Sequence, residues 1–321
     1  MRITFISATL LALAVQAWAV DGIVLNGTTK QPQPGVDINL VQPSEKGMVP
    51  LGKAKSGPDG KFVINAEIPP GPGLLQATFQ GATYNQILTP VSPRSGVEVM
   101  VYDSTNKAGT AKANEHMILL EPDDTAIRVT EMFILKNDTS LTFNDPQKGS
   151  VQYYLPKDAK DAKASITAPG GMPINRPPVK TGQTNIFKVD YPIKPGETRI
   201  DITYTTPPAE KFAGKVVPSD SATHLVTPST VTITGNGIEP VGQEPQTQAH
   251  LYNLSGLEFD VLIQGKGSMR GPAEGQPEED TGAPKVEVAP ARIYTRVWWV
   301  LGLAFAILGL GGAMLFRRGD A

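Results

Sequence analysis

Between residues 20 and 103 apolar side chains recur at every second position. Val36, Ile38 and Leu40 share one face, and Asp37 and Asn39 point to the other. Phe62 and Ile64 repeat the pattern, as do Val97, Val99 and Val101. A two-residue period marks half-buried strands, because successive side chains on an extended chain leave opposite faces. Turn chemistry separates the runs at Asn26-Gly27, Gln33-Pro34-Gly35, Pro58-Asp59-Gly60 and Pro69-Pro70-Gly71-Pro72-Gly73. Proline presets φ and glycine accepts positive φ, so each cluster reads as a reversal. The spacing predicts about seven short strands in an antiparallel sandwich.

A second series follows a polar stretch, 104–117, that reads as a linker. Ile127, Val129, Phe133 and Leu135 belong to one long strand, followed by Val151, Tyr153 and Leu155. Phe187, Val189 and Tyr191 come next, then Ile200, Ile202 and Tyr204, and Leu257, Phe259, Val261 and Ile263 close the series. Pro192 to Thr198 forms a turn between two of these runs. The expected unit is a second antiparallel β-sandwich, 118–264, broadly similar to immunoglobulin-like domains. A long connection, 168–178, carries Met172, Ile174 and Arg176 between rigidifying prolines. Long loops of this character bind partners, so these three residues form a candidate contact loop.

The segment Ser56-Gly57-Pro58-Asp59-Gly60-Lys61-Phe62 allows three readings. A calcium loop needs several oxygen ligands at alternate positions, and here Asp59 stands between Lys55 and Lys61. A phosphate cradle opens a helix, whereas Lys61 to Ile64 has strand character. A hairpin turn fits best. Taken with Asp21-Gly22-Ile23-Val24, Gln33 to Ile38, Ile68-Pro69-Pro70-Gly71 and Ala77-Thr78-Phe79, it resembles the carboxypeptidase regulatory-like domain. That resemblance covers about a quarter of the chain. It implies a transthyretin-like (prealbumin-like) sandwich acting as an accessory module. Leu74-Leu75 stands where the family usually has a tyrosine.

The two ends change the picture. Arg2, the largely apolar run 3–15 and Ala17-Trp18-Ala19 read as a secretory signal peptide, 1–19, cleaved to leave Val20 first. Residues 297–316, VWWVLGLAFAILGLGGAMLF, are uncharged over a length that matches a bilayer core, with Trp298 and Trp299 at an interfacial position. Arg317 and Arg318 follow as a stop, leaving 317–321 as a cytoplasmic tail. Residues 265–296 are rich in Gly, Pro and acidic side chains and read as a tether, with a reach of about 80 Å at about 3.1 Å per residue. The expected architecture is all-β, two sandwiches on one C-terminal transmembrane helix. The expected place is the cytoplasmic (inner) membrane of a bacterium, with the body outside the cytoplasm.

Composition removes several classes. The chain of 321 residues contains no cysteine and has a formal net charge of −2. Disulfides, cysteine nucleophiles and lipoprotein acylation are excluded, and no basic field invites nucleic acid. His116, His224 and His250 match no metal spacing and are expected at turns or partly exposed positions. No P-loop, dinucleotide fingerprint or nucleophile elbow is found, and Ser219, Ser221 and His224 crowd together without one. Glu121-Pro122-Asp123-Asp124 reads as a solvated turn. No catalytic, cofactor or metal residue is assigned. Three sequons occur, at Asn26, Asn137 and Asn253. Gly302, Ala306, Gly309 and Ala313 fall on one stripe of the apolar segment, which lets a helix pair with itself or another membrane protein. The expected function is non-enzymatic: a membrane-anchored scaffold for an envelope protein partner. A glycan-binding module, for which Tyr84, Tyr102, Tyr153 and Tyr154 could stack on sugars, or an accessory subunit of an envelope enzyme complex, is the alternative.

Overall fold

The computed structural model describes residues 19–44 and 47–269. All regular structure in that span is β-strand. Residues 1–18 of the signal with Arg2, residues 270–296 of the tether, the anchor with Gly302, Ala306, Gly309 and Ala313, and the tail lie outside the described residues, whereas Ala19 opens the first strand. No helix among the described residues is long and apolar enough to cross a membrane.

The first core is built by β1 (Ala19–Asn26), β2 (Gln31–Pro32), β3 (Asp37–Ser44), β4 (Gly47–Lys55), β5 (Lys61–Asn65), β6 (Gly73–Phe79), β7 (Ala82–Leu88) and β8 (Val97–Val101). One sheet runs β4-β3-β6-β7. In the other, β1 pairs with β2, β5 and β8. Val24, Ile38, Leu40, Ile64, Leu75 and Val99 close the space between them. Pro58 to Gly60 is a turn, with Gly60 at φ 75° and Asp59 Oδ1 accepting from the Lys61 amide at 3.1 Å.

The second core uses β9 (Ser104–Thr105), β10 (Lys112–Pro122), β11 (Ile127–Asn137), β12 (Thr142–Phe143), β13 (Val151–Tyr154), β14 (Lys160–Thr167), β15 (Ile174–Arg176), β16 (Val179–Lys180), β17 (Ile186–Val189), β18 (Gly196–Thr206), β19 (Lys211–Lys215), β20 (Thr223–Thr227), β21 (Thr232–Asn236), β22 (Ile238–Gln243), β23 (His250–Leu254) and β24 (Glu258–Gln264). An eight-stranded sheet runs β15-β14-β18-β11-β10-β20-β23-β22, and two three-stranded sheets run β13-β17-β16 and β19-β24-β21. Phe133, Ile200, Leu225 and Tyr252 of the large sheet share one core with Tyr153, Val189, Phe212 and Phe259 of the small ones.

Several expectations change. The sheets are not all antiparallel: β1–β8 and β10–β20 are parallel pairs within otherwise antiparallel sheets, and β9–β12 is a parallel pair by itself. Alternation tells which face a residue takes but not which way its neighbour runs, and parallel neighbours need a long return path. The stretch 104–117 is not a free linker. β9 pairs with β12, and β10 already starts at Lys112, where its polar residues lie on the exposed end of a strand. The connection 168–178 is partly strand: β15 pairs with β14 at the edge of the large sheet. Leu257 is exposed and precedes β24.

Candidate functional site

Strand β11 points Ile127, Val129, Glu131, Phe133 and Leu135 into the core. A carboxylate thus stands in an apolar row, between Ile118 of β10 and Ile202 of β18 in register. Glu131 is 4% exposed and His116, on the same inward face of β10, is 0% exposed. His116 Nε2 lies 2.7 Å from Glu131 Oε1. On the other side of the ring, His116 Nδ1 lies 2.8 Å from Thr223 Oγ1 of β20. The tautomer with its proton on Nε2 satisfies both contacts, donating to Glu131 and accepting from Thr223. The imidazole stacks on Phe133, ring centroids 4.1 Å apart. This corrects the expectation of a partly exposed His116, whose ring finds partners inside the sheet.

Burial pushes the Glu131 carboxyl up, and the hydrogen bond from His116 opposes that rise. Burial also raises the Tyr153 and Tyr204 phenols, with the Glu131 charge adding to it. The Tyr153 hydroxyl is buried without a hydrogen-bond partner. Hydroxyl, imidazole and carboxylate in series have the connectivity of an activated nucleophile. Here the imidazole is sealed inside the sheet, so the series joins β20 to β10 across a parallel pair and β10 to β11 across an antiparallel one.

The outer face of the same sheet is also apolar. Met117 and Leu119 of β10, Met132 and Ile134 of β11, Val226 of β20 and Leu251 of β23 are half-buried. None of them belongs to the core cluster or packs against it. Register makes them neighbours: Met117 opposes Met132, Leu119 opposes Val226, and Val226 opposes Leu251. The solvated face of such a sheet is ordinarily polar. The row along β10 continues to Glu121, which is buried because the chain returns over it. Glu121 Oε1 accepts from Ser268 Oγ and the Met269 amide, both at 2.7 Å, and the Gly267 amide donates to the Pro122 carbonyl at 3.0 Å. Residues 265–269, expected as free tether, are therefore docked at this end of β10. Asp123 caps a tight turn, accepting from Thr125 and Ala126, and these bonds hold its carboxyl below the usual range. Lys266 pairs with Asp124. No group of three or more metal-binding side chains occurs among the described residues.

The two cores meet through a bonded seam. Tyr84 Oη lies 2.7 Å from Thr142 Oγ1 and donates to the Tyr102 carbonyl at 3.0 Å. Ser104 and Asn144 both bond Gln80, and Thr28 Oγ1 donates to the Ser140 carbonyl. Lys194 Nζ sits 5.2 Å from the Tyr84 ring centroid and 6.0 Å from that of Tyr191. Burial there lowers the Lys194 ammonium to about 8.

Two sequons serve this region as turns. Asn26 Oδ1 accepts from the Thr28 amide while its Nδ2 donates to Gln33 and Asp103. Asn137 repeats the device: Oδ1 accepts from Thr139, and Nδ2 donates to the carbonyls of Leu141 and Ile193. Both asparagines are buried, whereas Asn253 is exposed. Asn137→Ala leaves the Thr139 amide without its acceptor and takes one donor from each of the Leu141 and Ile193 carbonyls, the latter keeping the Phe143 amide, so it is expected to cost about 2 kcal/mol. A urea midpoint matching that of the native chain would refute this role.

Of the candidate loop, Met172 is 65% exposed, while Ile174 and Arg176 sit on the edge strand β15. The structure brings none of the three to the His116 cluster. Of the four tyrosines considered for sugar stacking, Tyr84 and Tyr153 are buried. Tyr154 lines a shallow cavity of about 420 Å³ with Lys215, Asn236, Glu258 and Asp260. The His116–Glu131 pair escaped sequence reading although its signal was present. Each residue is polar at a position whose strand phase is otherwise apolar.

No protein-family model matches the chain, and no curated protein matches it. Among solved structures, similar ones include an M1 zinc metallopeptidase from Deinococcus radiodurans. It has 11% identity and a TM-score of 0.26, over 48% of this chain and 42% of the peptidase. A mutant of the peptidase from the same organism, bound to a Tyr-Ser-Ala substrate, matches at 11% identity and a TM-score of 0.26. That match covers 54% of this chain and 51% of the other. The chain thus spans 42% and 51% of these neighbours' lengths, and likeness at this level carries no argument about fold or activity.

Proposed function

We propose that this protein is a non-enzymatic binding module of the bacterial envelope. In this reading it is exported by residues 1–19 and held in the cytoplasmic membrane by residues 297–316. The first core is a carboxypeptidase regulatory-like (prealbumin-like) sandwich and the second an immunoglobulin-like one. Together they present a surface to a protein partner. The observation that carries the reading is the apolar outer face of the eight-stranded sheet, around Met117, Leu119, Met132 and Val226. A contiguous, half-buried apolar face that lies outside both cores marks an interaction site. The seam through Tyr84 and Thr142 supports it further, because a fixed joint presents one surface rather than two independent ones. Glycan binding is the weaker reading, since Tyr84 and Tyr153 are withdrawn into the cores.

Two measurements test the placement. Sodium carbonate washing of membranes at high pH is expected to leave the protein in the pellet. Protease added to spheroplasts is expected to destroy the body. Recovery of the intact chain in the carbonate supernatant, or a body spared by outside protease, overturns the reading.

A further inference from the structure

The outer face and the path of the chain bear on what covers that face. β10 carries Met117, Leu119 and Glu121 on one outward row, and Met269, the last described residue, is tied to Glu121. The polypeptide therefore departs for residues 270–321 from the same face that bears the apolar patch. Further along the sequence, Gly302, Ala306, Gly309 and Ala313 form a small-residue stripe within the apolar segment 297–316. Such a stripe lets two identical membrane helices approach closely. Two chains joined there would hold their bodies at high effective concentration.

We infer that the outer face of the eight-stranded sheet is a homodimer surface, on which a second copy of this chain docks face to face. The inference rests on the reading of this face as an interaction site and names its occupant. A two-fold contact uses the same patch on both copies, so the patch must be self-complementary. This one is. Its centre, Met117, Leu119, Met132 and Val226, is uncharged. Along one border, outward-facing Arg199 and Asp201 of β18 pair with each other, with Arg199 Nε 2.8 Å from Asp201 Oδ2. An uncharged centre with a paired border does not oppose its own image across the axis. Two sheet faces can then pack at about 10 Å with methionine side chains filling the gap.

The chain has no cysteine, so a single introduced thiol reports on its own surroundings. Thr130 lies on the outer face of β11, opposite Leu119. Thr234, on β21, is exposed and belongs to a different sheet. Full-length Thr130→Cys and Thr234→Cys chains are oxidised in native membranes with copper–phenanthroline and run on non-reducing gels. A band at twice the chain mass is expected for Thr130→Cys, at least tenfold stronger than for Thr234→Cys. Adding Leu119→Lys to the Thr130→Cys chain is expected to remove most of that band. Equal bands at both positions, or none at Thr130, overturn the dimer. A benzophenone–maleimide on the Thr130→Cys thiol separates the two levels of the argument. An adduct of any other mass overturns the second copy but keeps the face as a binding site. No adduct of any kind removes both.

Discussion

Glu131→Ala is expected to destabilise the second core by about 3 kcal/mol, the cost of an unsatisfied buried donor together with a cavity. The substitution leaves His116 Nε2 without its acceptor, in a position 0% exposed and flanked by Phe133. It also opens a hole between Ile118 and Ile202. Far-UV circular dichroism of the full chain in detergent, followed through a urea titration, would read the loss. Glu131→Gln separates charge from hydrogen bonding, because its carbonyl still accepts from Nε2 while staying neutral. The sign of the pH effect follows from burial. The folded carboxyl is raised above its unfolded value of about 4.3, so its contribution is complete below that pH. The contribution is lost as pH rises through the folded value. The Gln variant lacks this loss and should gain on the native chain as pH rises above the unfolded value of about 4.3. A stability gap that stays constant over that range would show that the carboxyl carries no burial cost.

Gly22→Ala is expected to cost about 3 kcal/mol in the first core, through overpacking rather than a lost contact. Gly22 lies between Phe62 of β5 and Val97 of β8. A Cβ there would stand 2.0 Å from the Val97 carbonyl oxygen and 2.9 Å from the Phe62 ring. The ring could turn, but the carbonyl belongs to the β1–β8 ladder and moves only if the parallel pairing opens. Gly35→Ala is the control. Its φ is 75° with nothing within 4 Å, so only left-handed strain of about 1 kcal/mol is expected. If the two variants melt together in differential scanning calorimetry, the close approach at Gly22 is not what holds β1 to β8.

How far the sequence could be read depends on what each feature requires. Inward faces were legible: Phe62 and Ile64, Val97 to Val101, and Ile127 to Leu135 all take the side that alternation assigns. The Pro58-Asp59-Gly60 turn was legible for a similarly local reason, because Gly60 alone relieves its positive φ. The His116–Glu131–Thr223 cluster was not. His116 and Thr223 are 107 residues apart, and they meet only because β10 and β20 run parallel. The outer apolar face left a faint mark. Met117 to Leu120 breaks alternation as a continuous apolar run. That pattern could equally have meant a strand buried on both sides.

The sequence by itself determined that the described body is all β, where turns such as Pro58-Asp59-Gly60 fall and which apolar side chains of its alternating strands face inward, since these follow from the two-residue period and the φ demands of Gly and Pro. The tertiary structure alone decided which strands are neighbours and in what direction. It thereby buried the His116–Glu131 pair, spent Asn26 and Asn137 on turns, locked Tyr84 against Thr142 and tied Met269 to Glu121. Such contacts join residues far apart along the chain, and a local pattern holds no information about register between distant strands.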